Sequence, residues 1–134
     1  MITHKLSFCE ITLLQGDIAE VVVNEGEELN IEKVAEYHEF LIKEMRHPFS
    51  LLINILNSYT YNFEAQQFIG SLSQINAIAV VAYDKISKDI INTVIKVPKE
   101  IPWNIKIFKE REAALKWLED MQRLSNKSLQ HINF

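Results

Sequence analysis

The sequence holds a single cysteine, three glycines and three prolines in 134 residues. With one thiol, Cys9, no intrachain disulfide can form, and the framework of a small disulfide-stapled domain is excluded. The glycines Gly16, Gly26 and Gly70 are isolated, so there is no glycine-rich loop to cradle a phosphate. No apolar run approaches the roughly 18 residues needed to span a bilayer. The start, Met1 to Leu6, lacks a basic segment followed by a long apolar core, which argues against a signal peptide. No His or Cys cluster has metal-ligand spacing, and no acid, base and nucleophile set stands out. Neither a cofactor nor catalysis is therefore expected. The net charge of -4 argues against nucleic-acid binding.

What is present is the balance of a globular domain, with 48% apolar and 24% charged residues. The length suits one domain, expected over residues 1–124 with a polar tail at 125–134, where Leu129, Ile132 and Phe134 are able to dock. A reducing, cytoplasmic setting fits the lone thiol. Residues 1–50 carry ten acids and four bases, whereas residues 84–127 carry seven acids and ten bases. Solvated helix faces of opposite sign are the simpler explanation. The sharper one is a polar surface for a protein partner or for self-association as a homodimer.

Hydrophobic patterning gives the elements. Two β-branched runs, 6–14 and 18–24, flank Gln15-Gly16-Asp17 and read as a hairpin. An acidic loop, Asn24 to Glu28, follows. Asn30 caps a helix over 31–46 whose apolar face is Ile31, Val34, Ala35, His38, Leu41, Ile42 and Met45. The run Phe49 to Leu56 is apolar almost without alternation, as in a strand covered on both faces. After the polar turn Asn57–Asn62, a helix is expected over 63–73, with Ala65, Phe68, Ile69 and Leu72 on one face. Ile75 to Ala82 is a second buried strand, whose small residues imply a closely packed helix. A third helix over 86–97 directs Ile86, Ile90, Val94 and Val97 inward, and Pro98 and Pro102 end it. The strand Asn104–Phe108 then turns into an amphipathic helix with the stripe Ala113, Ala114, Trp117, Leu118 and Met121. The expected fold is α/β, a mixed and mainly parallel sheet of four to five strands with an N-terminal hairpin and about four helices, in the order ββαβαβαβα.

Four features carry a resemblance: the buried strand Leu51 to Ile55 with one polar residue, the strand Ala77 to Ala82 leading into a serine-containing helix start, the connector Pro98 to Pro102, and the closing Ile107-Phe108 with Glu112 to Leu118. In these the chain resembles the SpoIIAA-like branch of the STAS and Sec14-type family, a bacterial regulatory type. The resemblance implies a non-catalytic protein-interaction or regulatory module. Its Sec14 side implies, as the alternative, a binder of a small apolar or lipid-like ligand. In that family a strand aspartate is followed by an Asp-Ser pair whose serine is phosphorylated. The matching positions here are Asn54 and Asn62-Phe63, so the phosphoacceptor is missing.

Residue by residue, an inert buried thiol is favoured for Cys9 and a satisfied core histidine for His38. His4, His47 and His131 look like surface residues, and Trp103 and Trp117 like packing residues. Asn54 must find a partner, because an unpaired buried carboxamide costs about 1–3 kcal/mol; a neighbouring loop is the simpler partner, a bound ligand the sharper one, and Asn54 counts among the candidate binding residues. In sheets of this type, ligands and partners meet the carboxyl ends of parallel strands. That rule gathers Asn57, Ser58, Tyr59, Thr60, Tyr61 and Asn62 with Tyr83, Asp84 and Ser87, and with Arg111, as the candidate binding edge. Free N–H groups at the two helix starts offer a site for an anion or a partner carboxylate, the plain alternative being polar loops that cap the helices. Tyr59 and Tyr61 are expected to pack within their loop, the sharper alternative being two exposed aromatics that meet a partner. Because Phe63 stands at the acceptor position, incubation with lysate and ATP followed by phosphopeptide mapping should find no phosphate of the STAS type. Stoichiometric phosphate on Ser58 or Thr60 would contradict this.

Overall fold

The computed structural model describes residues 1–132, with side chains through Ser128. Its main sheet has six strands in the order β1 (Ile2–Lys5), β2 (Cys9–Gln15), β3 (Ile18–Val23), β5 (Phe49–Asn54), β7 (Ile75–Val81) and β8 (Ile105–Phe108). The first three are antiparallel neighbours, and β3, β5, β7 and β8 run parallel. Two further strands, β4 (Glu28–Leu29) and β6 (Thr60–Tyr61), form a separate parallel pair. The helices are α1 (Ile31–Glu44), α2 (Phe63–Phe68), α3 (Lys85–Lys96) and α4 (Arg111–Ile132).

The mixed α/β architecture agrees with the sequence, but the sheet exceeds the expected four to five strands. Strand β1 is an edge strand of mostly exposed residues, Ile-Thr-His-Lys, so no buried face marks its period. Strands β4 and β6 have two residues each, too short to carry a pattern.

One face of the sheet packs on α1, α2 and α3, through Val21, Leu51, Ile78 and Val80 against Val34, Leu41, Ala65 and Ile91. The other face packs on α4, through Ile18, Leu52, Ala77, Ala79 and Val81 against Ala114 and Leu118. The alanines of β7 let α4 lie close to the sheet, as their size implies.

The inward faces of the helices depart from expectation. On α1, Tyr37 is buried while Ala35 and Ile42 are exposed. On α3, Ile91 and Val94 are buried, Ile90 and Val97 are half-buried, and Ile86 is 75% exposed. Helix α2 stops at Phe68, which is itself exposed, rather than reaching 73. Gly70 follows at once, and a Cβ there would come within 2.8 Å of the Trp103 indole. The close approach of Trp103 thus requires glycine. Trp103 also donates from Nε1 to Ser71 Oγ at 3.1 Å. On α4, Ala113 points outward, and the buried line is Ala114, Leu118 and Gln122. The helix continues over residues 125–132, the span expected as a tail; docking by Leu129, Ile132 and Phe134 lies outside the described side chains.

Gln122 is the hub of a polar cluster beneath the sheet. It accepts from Ser50 Oγ at 2.5 Å and from Asn76 Nδ2 at 3.0 Å. Its own amide donates to Asp17 Oδ2 and to the Pro48 carbonyl, both at 3.0 Å. Asp17 is also bonded by Gln15 at 2.7 Å and paired with Arg46 at 3.3 Å. Burial pushes the Asp17 carboxyl up, but these partners together hold it below its ordinary 3.8.

Replacing Gln122 by alanine leaves the buried Ser50 hydroxyl without its acceptor and Asp17 with one partner fewer, and should cost about 2–4 kcal/mol. Leu118→Ala should cost about 2–5 kcal/mol. Trp117 is only half-buried, stacked 5.7 Å from Phe108, so Trp117→Ala should cost less than Leu118→Ala. Urea unfolding of the three variants checks the order; a Gln122→Ala protein as stable as wild type would show that the cluster does not hold α4.

Candidate functional site

Strands β3, β5, β7 and β8 end together at Val23, Asn54, Val81 and Phe108, and the loops that follow lie along one edge. The Asn54 amide donates to Glu20 Oε2 at 2.8 Å, and its carbonyl accepts from the Tyr83 hydroxyl at 2.8 Å. Arg111, the first residue of α4, holds Glu20 with both Nε (3.0 Å) and Nη2 (2.7 Å). Asn54 is thus paired through a loop, as expected, and through a strand as well. Glu20 is the residue that sequence reasoning missed. Its signal was present, since a lone carboxylate in the run Ile18 to Val23 has to be paired if that strand is buried. Paired in this way, Glu20, Asn54 and Arg111 hold one another, and the geometry gives them a positioning part.

Beside them a groove of about 300 Å³ opens between the acidic loop, the turn after β5 and the start of α3. Asn57, Ser58, Tyr59, Thr60, Tyr61, Asp84 and Ser87 line it. So do Gly26, Glu27, Ile55 and Ile91, which the sequence did not mark as site residues, and Ile86 and Ile90, which it directed into the core. Here β4 and β6 bind the acidic loop to the post-β5 turn. Gly26 N–H donates to Ser58 O (2.8 Å), Thr60 N–H to Glu27 O (2.9 Å) and Asn62 N–H to Leu29 O (2.9 Å). Glu25 accepts from Ser58 N–H at 2.6 Å, and Asn57 Nδ2 donates to Val23 O at 2.9 Å. Gly26 has φ +79°, a conformation that favours glycine.

At this edge the structure shows the plainer readings, loop packing of the tyrosines and capped helix starts. Tyr59 is 8% exposed and Tyr61 half-buried; their rings stack edge to face 5.5 Å apart, so neither is a free aromatic. Tyr83 and Phe63, beside these loops, are exposed. The helix starts are not free to take an anion. Asn62 accepts from Ala65 N–H (2.9 Å), and Asp84 accepts from Ser87 N–H (2.7 Å). The Asp84 carboxylate, held below its ordinary pKa by its bonds to the Ser87 and Ile86 amides, already occupies the positive end of α3.

A second hollow lies under α1, α2 and α3, against the sheet. It is lined by apolar side chains from both layers, Val21, Leu51, Val80, Ile91 and Val94 among them, together with Tyr37 and Tyr61. Its volume is about 50 Å³. That is well below the roughly 300–1,000 Å³ of sites for drug-sized ligands, so a lipid chain does not fit as it stands. At about 24 cal/mol per Å³ it costs the fold about 1 kcal/mol.

The remaining candidates are structural. Cys9 is buried, and its thiol is pushed up to about 12 by burial and by Glu36 and Glu10, so it is a poor nucleophile. His38 bonds the Ile69 carbonyl at 3.0 Å, and burial lowers its pKa. His4 stacks on Phe40, and His47 is exposed, bonded to Ile42 O. The side chain of His131 lies outside the described residues. Among the described residues no three His, Cys, Asp or Glu side chains group as metal ligands. Nor is any described helix long and apolar enough to cross a membrane.

A family model described as a domain of unknown function (DUF7793) matches residues 12–122. The chain belongs to that family. No curated protein and no solved structure matches it. The DUF7793 match runs from within β2 to Gln122, so it includes the groove, the Glu20–Arg111 pair and the cluster beneath the sheet.

The Arg111 bonds are the largest influence on Glu20. They and the Asn54 amide hold its carboxyl below its ordinary 4.5, against the upward push of burial. A depressed carboxyl contributes stability that is present above its ordinary pKa and lost as pH falls through its folded value. Wild-type stability should therefore decline on acidification below about pH 4.5. Glu20→Gln should be less stable at pH 7 and show a shallower decline, in urea unfolding followed from pH 7 to pH 3. Parallel curves for the two proteins would contradict the assignment.

Proposed function

We propose that the chain is a non-catalytic interaction module of STAS-like type, cytoplasmic and without the phosphoacceptor serine, whose groove receives a protein partner. The observation that carries this is the composition of the groove and its surroundings. Ile86, 75% exposed, stands at its lip near the exposed Tyr83, and the carboxylates Glu27 and Asp84 line the same groove, Glu27 paired with Lys33. An exposed apolar anchor beside a groove-lining carboxylate fits a partner that presents an apolar side chain next to Lys or Arg. The polar groups behind the groove are bonded to one another, so they position it and leave no free acid or base to act on a substrate. The volume of the apolar hollow also favours this reading over a lipid carrier. A second copy of the chain, offering its more basic C-terminal half, meets the same chemical description.

The test is affinity capture of the tagged chain from native lysate, compared with the double variant Thr60→Arg/Ile86→Asp. Both side chains are exposed, so the variant should melt as the wild type does. The expected result is a captured protein that the variant loses and that dissociates with rising salt. A complex undiminished by the double variant would overturn the groove as the contact surface. Light scattering of the purified chain at several concentrations tells whether the partner is a second copy.

A further inference from the structure

We infer that the chain pairs with a second copy of itself along the free edge of β1, antiparallel and about a two-fold axis at His4, so that two six-stranded sheets become one. The inference is independent of the groove, to which β1 contributes no residue. The first observation is the direction in which the backbone of β1 points. Leu6 N–H donates to Cys9 O at 2.8 Å, in the register that sets Lys5 against Glu10 and His4 against Ile11. In an antiparallel pair, hydrogen-bonded and non-hydrogen-bonded positions alternate. Ile2 and His4 therefore direct their N–H and C=O groups at β2, and Thr3 and Lys5 direct theirs away from it. The far side of β2 agrees. Asn24 N–H donates to Phe8 O, which turns Glu10 and Thr12 toward β3 and leaves Ile11 and Leu13 for β1. The Thr3 and Thr12 hydroxyls also meet at 2.8 Å, as the closer approach of a non-hydrogen-bonded pair allows. Among the described residues β1 has a neighbour on one side alone, so the donors and acceptors of Thr3 and Lys5 stand along the edge of the sheet.

The second observation is that the segment has the same character read from either end. Ile2-Thr3-His4-Lys5-Leu6 is apolar, polar, His, polar, apolar. Laid antiparallel on itself about His4, Thr3 of each copy faces Lys5 of the other, and these are the residues whose backbone groups point outward. Each such pair exchanges both of its N–H···O bonds. Ile2, 66% exposed, then meets the half-buried Leu6 of the other copy, on the face where His4 stacks 5.1 Å from Phe40 of α1. Lys5 keeps Glu10 as a counter-charge at 3.9 Å. Other registers that keep each face continuous do worse. Centred on Thr3, the pairing sets Ile2 against His4; centred on Lys5, it sets two like charges directly opposite. This self-matching pattern is what commits the edge to a second copy, in a two-fold contact that closes at the dimer.

The test is sedimentation of the purified chain at concentrations up to about 1 mM. The expected result is a reversible monomer–dimer equilibrium. Thr3→Pro removes an outward N–H and leaves the bonds to β2 intact, a change that edge strands tolerate. It should melt near the wild type and weaken the dimer about tenfold or more, since each copy loses a donor. Ile2→Asp, at an exposed position, should weaken it too and serves if the proline variant does not fold. Mild oxidation of cysteine replacements reads the register. His4→Cys should form an intermolecular disulfide, because opposed residues at a non-hydrogen-bonded position stand about 4.5 Å apart at Cα. Lys5→Cys, whose twin lies diagonally at about 7–8 Å, should not. The proposal fails if the chain stays monomeric throughout, if the folded variants dimerise as the wild type does, or if Lys5→Cys crosslinks as readily as His4→Cys. A dimer that survives Thr3→Pro and is lost in Thr60→Arg/Ile86→Asp belongs to the groove, and overturns this edge without touching the groove reading.

Discussion

The seating of α4 across the sheet is the constraint on which the other features rest. Strand β5 presents Ser50, Leu52 and Asn54 toward that helix, a polar, an apolar and a polar residue in turn. The helix answers with Gln122, with Leu118 and Ala114, and with Arg111 acting through Glu20. Five residues of strand span about 13 Å between the outer two, and the eleven steps from Arg111 to Gln122 about 16 Å of helix. The two repeats match closely enough for both ends to be bonded while the middle is packed. The apolar middle supplies most of the burial, and the two ends determine where along the sheet it is buried.

That seating also shapes the binding edge. Glu20 and Asn54 are held from the α4 side, and Asn54 in turn fixes Tyr83, the residue before the Asp84 cap of α3. The turn after β5 is tied independently, by the β4–β6 pair and by Asn57 to the end of β3. The groove is therefore a gap between two loops fastened from opposite sides, with Tyr61 and Ile91 in its lining.

Much of this was legible in the sequence. The succession of hairpin, helices and parallel strands, the Asn30 cap and the two fully buried strands follow from periodicity and capping, which are local, whereas β1, β4 and β6 were not read. The gathering of three loops at one edge follows from parallel connectivity. The outward turn of Ile86 and the burial of Tyr37 were not legible, because a helix of a few turns fits several faces equally well. Which face wins depends on the neighbouring layer, here the acidic loop zipped onto Thr60 and Tyr61. Asp84 shows a second limit: a helix start reads as an anion site only when its cap is neutral, and whether the acidic side chain folds back onto the amides is a question of geometry.

Arg111 shows why polar ends were kept where apolar ones would pack. A cation in the first turn of a helix opposes the helix dipole, and a partly buried carboxylate in a strand is costly to desolvate. Each is unfavourable alone, and together they make a two-pronged bond that forms only in one register. A helix resting on Ala77, Ala79 and Leu52 alone meets a smooth surface, along which a shift of one turn would bury nearly the same area. With Gln122 required under Ser50 and Arg111 required over Glu20, such a shift breaks both ends at once. The polar clusters therefore add little to the net stability of the correct arrangement and remove much from its neighbours, which is how a strip of small residues comes to specify one position for the helix that covers it.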